Sequence, residues 1–330
     1  MTYNVALFGA GRIGRIHAAN VVAHRELDLT HVVDPVAANA QAIADDHGAQ
    51  IATLEQALAD PRVDGVIVAS STDVHLDHCL AAHRAGKAIF CEKPVDMDLA
   101  RAEAARAELA SARLFVGFNR RFDPSFQAVK ARLADGGVGA LESLQITSND
   151  PAPPPVSYVR VSGGLFKDMA IHDFDMARHL LGEEPNEVFA WGSCLVDPAI
   201  GEAGDVDTAR TLLRTASGKL CVIANSRRSG FGYDQRVEAF GSAGMVKADN
   251  QMESSVSIWG ESGARSDSFQ NFFLDRYAAA YRAEIAHFAD LLAGRATPAI
   301  TYDDGVAALR LAEAAARSLA SGQPVPVQAP

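Results

Sequence analysis

Four ionisable side chains recur along one short stretch of the sequence, LFKDMAIHDFDMARHLL at residues 165–181. Asp168, His172, Asp175 and His179 are separated by four, three and four residues. The stretch is predicted to be one helix, and on a helix these side chains fall within a strip about 60° wide. Such a strip is either a solvent-exposed face or the lining of a site where a proton is transferred.

A second candidate site lies near the amino-terminal end, where a G-x-G-x-x-G motif follows an apolar strand and opens a predicted helix. The motif consists of Gly9, Gly11 and Gly14, with Arg12 and Ile13 between the last two glycines. Its glycines permit a tight turn, a close approach of the backbone to a pyrophosphate, and close packing of helix on strand. The motif therefore predicts a dinucleotide site.

An acidic residue completes this dinucleotide motif. Asp34 ends the second predicted strand, 20 residues after Gly14. A carboxylate at this position accepts hydrogen bonds from both hydroxyls of an adenosine ribose and repels a 2′-phosphate. The following residues, PVAAN at 35–39, contain no Lys or Arg that could neutralise such a phosphate. We therefore predict that the cofactor is NAD rather than NADP.

A third group of polar residues follows the fourth predicted strand, in FCEKPVD at residues 90–96. Glu92 and Lys93 would lie at the carboxyl edge of the sheet, where ligands of open α/β folds bind. Lys93 could donate a hydrogen bond to a substrate oxygen and stabilise a developing negative charge, although taken alone it is more simply a solvent-exposed loop lysine. A cis peptide at Lys93–Pro94 is our hypothesis for how this lysine turns toward the site.

Two kinds of fold must position these residues. Residues 4–119 alternate apolar strands with helices, which is typical of a doubly wound parallel sheet covered on both faces. After about residue 140, strands follow one another through Gly- or Ser-containing turns, and two helices finish the chain. The alternation in RVEAFG predicts a mostly antiparallel sheet with one exposed face.

The predicted fold is therefore an α/β protein of two domains. We assign residues 1–120 to an NAD-binding Rossmann domain and residues 121–330 to an α+β domain that binds substrate and forms oligomers. A sheet with one open face leaves a broad surface to be covered, so we expect a homo-oligomer.

The composition excludes several other classes of protein. The chain has 330 residues, of which 48% are hydrophobic and 22% charged, as in globular proteins. A net charge of −11 argues against a nucleic-acid partner, and the apolar runs are too short to span a membrane. The N-terminus enters a strand without a secretory signal, and the cysteines lack a C-x-x-C pair, so we expect a cytoplasmic protein without a zinc site. The cysteines are Cys79, Cys91, Cys194 and Cys221.

Several motifs occur in an order that resembles a known family. They are GAGRIGRIH, FCEKPVD, VGFNRRFDP, GGLFKDMAIHDFDMARHL and GYDQRVEAFGSAG, and the tail NFFLDRYAAAY fits the same pattern. Together they resemble the inositol 2-dehydrogenase branch of the glucose-fructose oxidoreductase (Gfo/Idh/MocA) family. The E-K-P segment and the D-x-x-x-H helix are typical of the wider family, whereas GYDQRVE and DFDMAR are typical of enzymes acting on inositols.

The resemblance implies a role for particular residues of this chain. The implied catalytic set is Lys93, Asp168 and His172. The implied substrate-binding residues are Arg120, Asp150, Asp175 and Tyr233. The implied cofactor-binding residues, beside the glycine motif and Asp34, are Ser70, Thr72, His75, Glu92 and Lys93. Three positions depart from the family pattern. Ser148 and Asp150 stand in a loop that in inositol dehydrogenases can instead carry His and Asn, and Ser71 replaces the proline of T-P-x-x-H.

The resemblance also implies an activity, the NAD-dependent oxidation of a cyclitol hydroxyl. We predict that myo-inositol is oxidised to 2-keto-myo-inositol in inositol catabolism by a homotetramer, with His172 as general base. The alternatives are a related enzyme acting on another inositol isomer or a pyranose, and a non-catalytic NAD-binding sensor. A metal-dependent enzyme would need ligands beyond Asp168, His172 and Asp175, which no spacing supplies. His179 is expected to be structural.

Overall fold

The computed structural model describes residues 1–327, and the chain divides into two compact units. The first unit contains Met1–Phe122 and Ala280–Leu309. The second contains Asp123–Ala279 and, among the described residues, 310–327. The predicted boundary at residue 120 lies close to Phe122, but our prediction assigned residues 280–309 to the second domain.

A parallel sheet forms the centre of the first unit. Its strands are β1 (Tyr3–Phe8), β2 (Leu27–Val33), β3 (Gln50–Ile51), β4 (Val63–Val68), β5 (Ala88–Glu92) and β6 (Leu114–Gly117). They are arranged in the order β3-β2-β1-β4-β5-β6, and each neighbouring pair is parallel. The strand order reverses between β1 and β4, which is where open α/β sheets bind their ligands. The predicted Rossmann sheet is confirmed.

Helices connect these strands. They are α1 (Arg12–Ala23), α2 (Ala37–His47), α3 (Leu54–Ala59), α4 (His75–Arg84) and α5 (Leu99–Leu109), with short 3₁₀ turns at Thr72–Val74 and Asn119–Phe122. Local sequence explains several helix ends. Thr53 caps α3 in a capping box, Asp98 caps α5 through its side chain, and Gly48 ends α2 with a φ of 75°.

The second unit is built on a larger sheet. Its strands are β7 (Leu141–Asn149), β8 (Pro185–Ser193), β9 (Thr208–Thr215), β10 (Leu220–Ser226), β11 (Asp234–Gly241), β12 (Gly244–Ala248) and β15 (Val325–Pro326). Their order is β12-β11-β7-β10-β9-β8-β15, in which β7 and β10 are parallel and the other pairs are antiparallel. Buried and exposed residues alternate along β9 and β11, so one face of the sheet is open. The mostly antiparallel sheet is confirmed. A separate exposed hairpin is formed by β13 (Ser257–Gly260) and β14 (Gly263–Ser266).

The remaining helices follow in chain order. They are α6 (Pro124–Ala134), α7 (Val156–Val159), α8 (Gly164–Asp168), α9 (Ile171–Leu181), α10 (Pro198–Glu202), α11 (Phe273–Arg276), α12 (Ala278–Leu292) and α13 (Tyr302–Ser321). Within the first unit, α12 packs on the parallel sheet at Gly65, where an added Cβ would lie 2.8 Å from Leu292 and 2.9 Å from Phe288. This contact explains why residues 280–309 belong to the first unit. Among residues 1–327, no helix has the length and apolar character needed to cross a bilayer.

The single helix that the sequence predicted over residues 165–181 is wrong in detail, because α8 and α9 are separate. The amides of Met169 and Ala170 both donate to the carbonyl of Leu165, at 3.1 and 2.9 Å. The second of these bonds spans five residues, so the backbone makes a wider turn than a regular α-helix. The strip of acidic and histidine residues is therefore continuous only within α9, and Asp168 lies before the interruption.

Candidate active site

The glycine-rich turn of the first unit has the conformation that its motif predicts. Gly9 has a φ of 99°, and an added Cβ would lie 2.3 Å from the carbonyl oxygen of Ala69. A Cβ on Gly14 would lie 2.0 Å from the carbonyl oxygen of Gly9, so both positions require glycine. By contrast, no described atom lies within 4 Å of a Cβ on Gly11, the residue before α1. This turn can therefore admit a pyrophosphate at the N-terminus of α1.

Asp34 is tied directly to this turn. Its Oδ2 accepts a hydrogen bond from the amide of Ala10 at 2.7 Å, and its Oδ1 accepts one from the amide of Val36 at 2.8 Å. Each carboxylate oxygen can accept further hydrogen bonds, so the side chain can also bind the hydroxyls of a ribose. The structure thus brings together the acidic residue and the glycine motif that the sequence predicted to act together.

Glu92 has a partner that the sequence analysis missed. Its Oε1 lies 2.7 Å from Nε2 of His17, and both residues are buried. His17 lies on the buried face of α1. A histidine among the apolar positions of a predicted helix was the sequence signal that could have indicated a buried polar partner. Glu284 of α12 is also fully buried; its burial, and next the charge of Glu92, raise the pKa of Glu284 well above its usual value. The cofactor-binding role predicted for Glu92 stays a prediction.

Lys93 lies between two anchored residues. Glu92 precedes it, and the carbonyl of Pro94, which follows it, lies 2.8 Å from Nδ1 of His75. Nε2 of the same ring lies 3.0 Å from the carbonyl oxygen of Ser70, so His75 links the segments that follow β4 and β5. The Lys93–Pro94 peptide is cis, as hypothesised. Four residues predicted to bind the cofactor thus lie at or just after the carboxyl ends of β4 and β5: Ser70, His75, Glu92 and Lys93. A fifth, Thr72, lies in the 3₁₀ turn that follows β4.

In the second unit, Asp168 is held by two side chains that the sequence analysis did not identify. The hydroxyl of Tyr158 donates to its Oδ1 at 2.9 Å. Nη1 of Arg227 donates to its Oδ2 at 3.2 Å, and the Arg227 side chain is only 1% exposed. In the sequence, Arg227 is distinguished only by its adjacency to Arg228, which does not indicate a contact with Asp168. Both oxygens of the Asp168 carboxylate therefore receive a hydrogen bond.

Helix α9 carries the other members of the predicted strip. His172 lies in its first turn and is half-buried. Asp175 is fully buried, and its Oδ1 lies 3.7 Å from Nη1 of Arg178. The neighbouring Asp173 is also fully buried and accepts a hydrogen bond from Asn225 at 2.8 Å. The catalytic and substrate-binding roles of these residues stay predictions, as does a structural role for His179.

The strand register places three polar residues at one edge of the second sheet. Asn149 of β7 is paired with Asp234 of β11 and with Ser226 of β10. Asp150, Tyr233 and Arg227 each lie one residue beyond these pairs, so the three are neighbours at this edge. Two of them are predicted substrate-binding residues.

Arg120, the remaining predicted substrate-binding residue, belongs to the first unit. It lies in the 3₁₀ turn after β6 and is 4% exposed. Among residues 1–327, no group of three or more His, Cys, Asp or Glu side chains is arranged to hold a metal ion, so the metal-dependent alternative gains no support.

Comparison with known proteins assigns both units to one family. Residues 3–118 match the family described as "Oxidoreductase family, NAD-binding Rossmann fold", and residues 126–247 match "GFO/IDH/MocA C-terminal domain". An inositol 2-dehydrogenase of Rhizobium meliloti (strain 1021) is 46% identical over 99% of this chain and 100% of its own length.

Two solved structures are also similar. A crystal structure of a myo-inositol dehydrogenase from Corynebacterium glutamicum ATCC 13032 has a TM-score of 0.95 and 41% identity, covering 100% of both chains. A crystal structure of scyllo-inositol dehydrogenase from Lactobacillus casei, with bound NAD(H) and scyllo-inositol, has a TM-score of 0.92 and 27% identity, covering 99% of both chains. From the glycine turn at its amino end to the open sheet of its second unit, this chain belongs to the GFO/IDH/MocA family of oxidoreductases.

Proposed function

We propose that this chain is an NAD-dependent inositol 2-dehydrogenase that oxidises myo-inositol to 2-keto-myo-inositol. The observation that carries this proposal is the 46% identity, over essentially the whole of both chains, to an inositol 2-dehydrogenase. The matched region extends through both units, so it spans the parts of the chain proposed to bind cofactor and substrate.

The first unit has the features that NAD requires. The glycine turn admits a pyrophosphate, and the Asp34 carboxylate beside it suits an adenosine ribose with a free 2′-hydroxyl. When bound, NAD+ supplies the hydride acceptor. The proposed contacts come from the glycine turn, with Arg12 and Ile13, and from the carboxyl ends of β4 and β5 and the residues that follow them. These residues are Ser70, Thr72, His75, Glu92 and Lys93.

Three side chains of this chain handle the reacting hydroxyl in the proposed mechanism. His172 accepts the hydroxyl proton as general base, a role suited to an imidazole, which titrates near neutral pH. Asp168 orients the imidazole or binds an adjacent hydroxyl, and its carboxylate is itself held by hydrogen bonds. Lys93 donates a hydrogen bond to the reacting oxygen and stabilises its developing negative charge. The cyclitol hydroxyls that do not react are bound by Arg120, Asp150, Asp175 and Tyr233.

The experiment that tests this proposal begins with initial rates of NADH formation across cyclitols and aldopyranoses, each with NAD+ and with NADP+. We expect fast NAD+-dependent oxidation of myo-inositol. A preference for another inositol isomer or a pyranose would keep the mechanism and change the substrate. NAD binding without turnover of any compound would instead favour a sensor.

A pair of variants on α9 tests the general base. We expect His172→Ala to lower kcat by about 10²- to 10⁴-fold, the usual cost of losing a positioned base, while the Kd for NAD+ stays the same. His179→Ala is the matched control, because it removes an imidazole two turns further along the same helix. Normal turnover by His172→Ala would contradict the assignment.

We also propose that the chain forms a homo-oligomer, a tetramer by the family resemblance, through the open face of the larger sheet. Leu212 is paired with Phe189 on one side and Val222 on the other, so these three side chains share a face. Leu220 lies two residues before Val222 on β10, so it projects from the same face. Leu220 and Phe240 are both paired with Ser143 of β7, so Phe240 shares this face, and both side chains are about half exposed. An apolar surface of this kind supports burial against another copy.

The predicted cytoplasmic location also remains a proposal. It is supported by the four cysteines, which are free thiols, three of them buried. Reduced thiols of this kind are usual in reducing compartments.

A further inference from the structure

A buried arginine connects the two ends of the short helix that carries Asp168. Nη1 of Arg227 donates to the carboxylate of Asp168, the last residue of α8. Nη2 of the same guanidinium lies 3.8 Å from the carboxylate of Asp205. That carboxylate in turn accepts the amide of Leu165, near the start of α8, at 3.1 and 3.0 Å. One guanidinium therefore lies between the Asp168 carboxylate at the end of α8 and the Asp205 carboxylate that binds the amide near its start.

The glycine pair before α8 belongs to this arrangement. Gly163 and Gly164 have φ angles of 81° and 78°, which favour glycine. A Cβ on Gly164 would lie only 2.7 Å from Oδ1 of Asp205. The second glycine therefore allows the carboxylate to reach the amide of Leu165, which gives the GGLFKD segment a physical explanation.

Arg227 is itself firmly placed. Its side chain is 1% exposed, and its backbone amide donates to the carbonyl of Asp207 at 2.8 Å. Among the described residues, Asp168 supplies the hydrogen-bond acceptor for Nη1, whereas Nε and Nη2 have no acceptor within hydrogen-bond distance. A buried cation needs a compensating charge, so the position of Asp168 and that of Arg227 depend on each other.

We propose that Arg227 is a positioning residue, which fixes the Asp168 carboxylate from the protein interior so that it can act beside His172. The inference rests on the proposed catalytic role of Asp168. Tyr158, which binds the other oxygen of Asp168, is 47% exposed, whereas Arg227 binds its oxygen from the buried side of the carboxylate.

The test compares Arg227→Met with wild type and places the same change in an Asp168→Asn background. We expect Arg227→Met to lower kcat for myo-inositol by about 10- to 100-fold, the usual effect of losing a charge-assisted hydrogen bond, with the Kd for NAD+ unchanged. In the Asp168→Asn background the further loss should be less than about threefold, because residues that act through one another are not additive.

Arg228→Met is the matched control, because Arg228 is the next residue and is exposed. We expect its kcat to stay within about twofold of wild type, as for most surface substitutions. Arg227→Lys keeps a cation and should recover part of kcat, and it replaces Arg227→Met in the comparison if the methionine variant does not fold. Wild-type kcat in Arg227→Met, or an equal loss in both backgrounds, would overturn the inference.

The same proteins separate this inference from the proposed function. If the wild-type protein oxidises no cyclitol or pyranose, the proposed function fails, and the comparison is made on thermal unfolding instead. A fall in Tm caused by Arg227→Met that disappears in the Asp168→Asn background would still support the coupling. Equal falls in both backgrounds would overturn it.

Discussion

Asp207 holds the loop of residues 194–197 through its buried carboxylate. Its Oδ1 accepts the amide of Leu195 at 2.8 Å, and its Oδ2 accepts those of Val196 and Asp197 at 2.8 and 2.9 Å. Replacing Asp207 with asparagine keeps one acceptor oxygen and places an amide nitrogen against the other donors. We therefore expect this variant to lose stability and the charge that organises the loop.

The pKa of Asp207 gives the size of this effect. Burial opposes its ionisation, but hydrogen bonds from the backbone of Asp197, Leu195 and Val196 and from the Thr208 hydroxyl lower its pKa from 3.8 to about 2. Because one pKa unit is worth about 1.36 kcal/mol, ionised Asp207 stabilises the fold by about 2 kcal/mol. The lowered pKa means that this stabilisation is complete above about pH 4 and is lost as the pH falls toward about 2.

Urea unfolding at pH 7, 4 and 3 measures this contribution. We expect Asp207→Asn to lower the free energy of unfolding by about 2 to 4 kcal/mol at pH 7, and the difference from wild type to shrink by about 1 kcal/mol at pH 3. Asp249→Asn is the control, because this carboxylate is 58% exposed in a surface pair with Lys247. Its expected change is below about 0.5 kcal/mol. A difference for Asp207→Asn that does not vary with pH would refute the reasoning.

Three further changes test other parts of the molecule. Asp34→Ser removes the carboxylate proposed to bind the adenosine ribose hydroxyls and should lower kcat/KM with NAD+ by about 10- to 100-fold. Because it also removes the repulsion of a 2′-phosphate, kcat/KM with NADP+, measured alongside, should not fall. Glu284→Gln should gain stability relative to wild type as the pH rises from 5 to 8 in urea unfolding, because the raised pKa of buried Glu284 makes its ionisation destabilising; a gap independent of pH would contradict this. Leu212→Glu should lower the mass of the proposed homo-oligomer in light scattering, and an unchanged mass would exclude this face as the interface.

Residues that follow the ends of parallel strands could be located from the sequence. The glycine motif and Asp34 follow apolar strands, and the Glu92–Lys93 pair lies at the end of another. The carboxyl ends of parallel strands meet at one edge of a sheet. The parallel sheet and the family membership predicted from these motifs are confirmed. The roles assigned to individual site residues stay predictions.

Other features depend on residues far apart in the chain. Arg227 and Asp168 are 59 residues apart, and Leu165 and Asp205 are 40 residues apart. No periodicity near residue 168 indicates either contact. The wider turn at Ala170 was likewise missed, because the local pattern of apolar residues continues through it.

The chain by itself determined the two kinds of sheet and which polar residues lie at the ends of the parallel strands, because apolar periodicity depends on neighbouring residues. Only the tertiary structure decided which charges are buried together. His17 meets Glu92 across 75 residues, and residues 280–309 join the first unit rather than the second. The physical reason is that a buried charge needs a partner, and the partner is supplied by whichever distant segment packs against it.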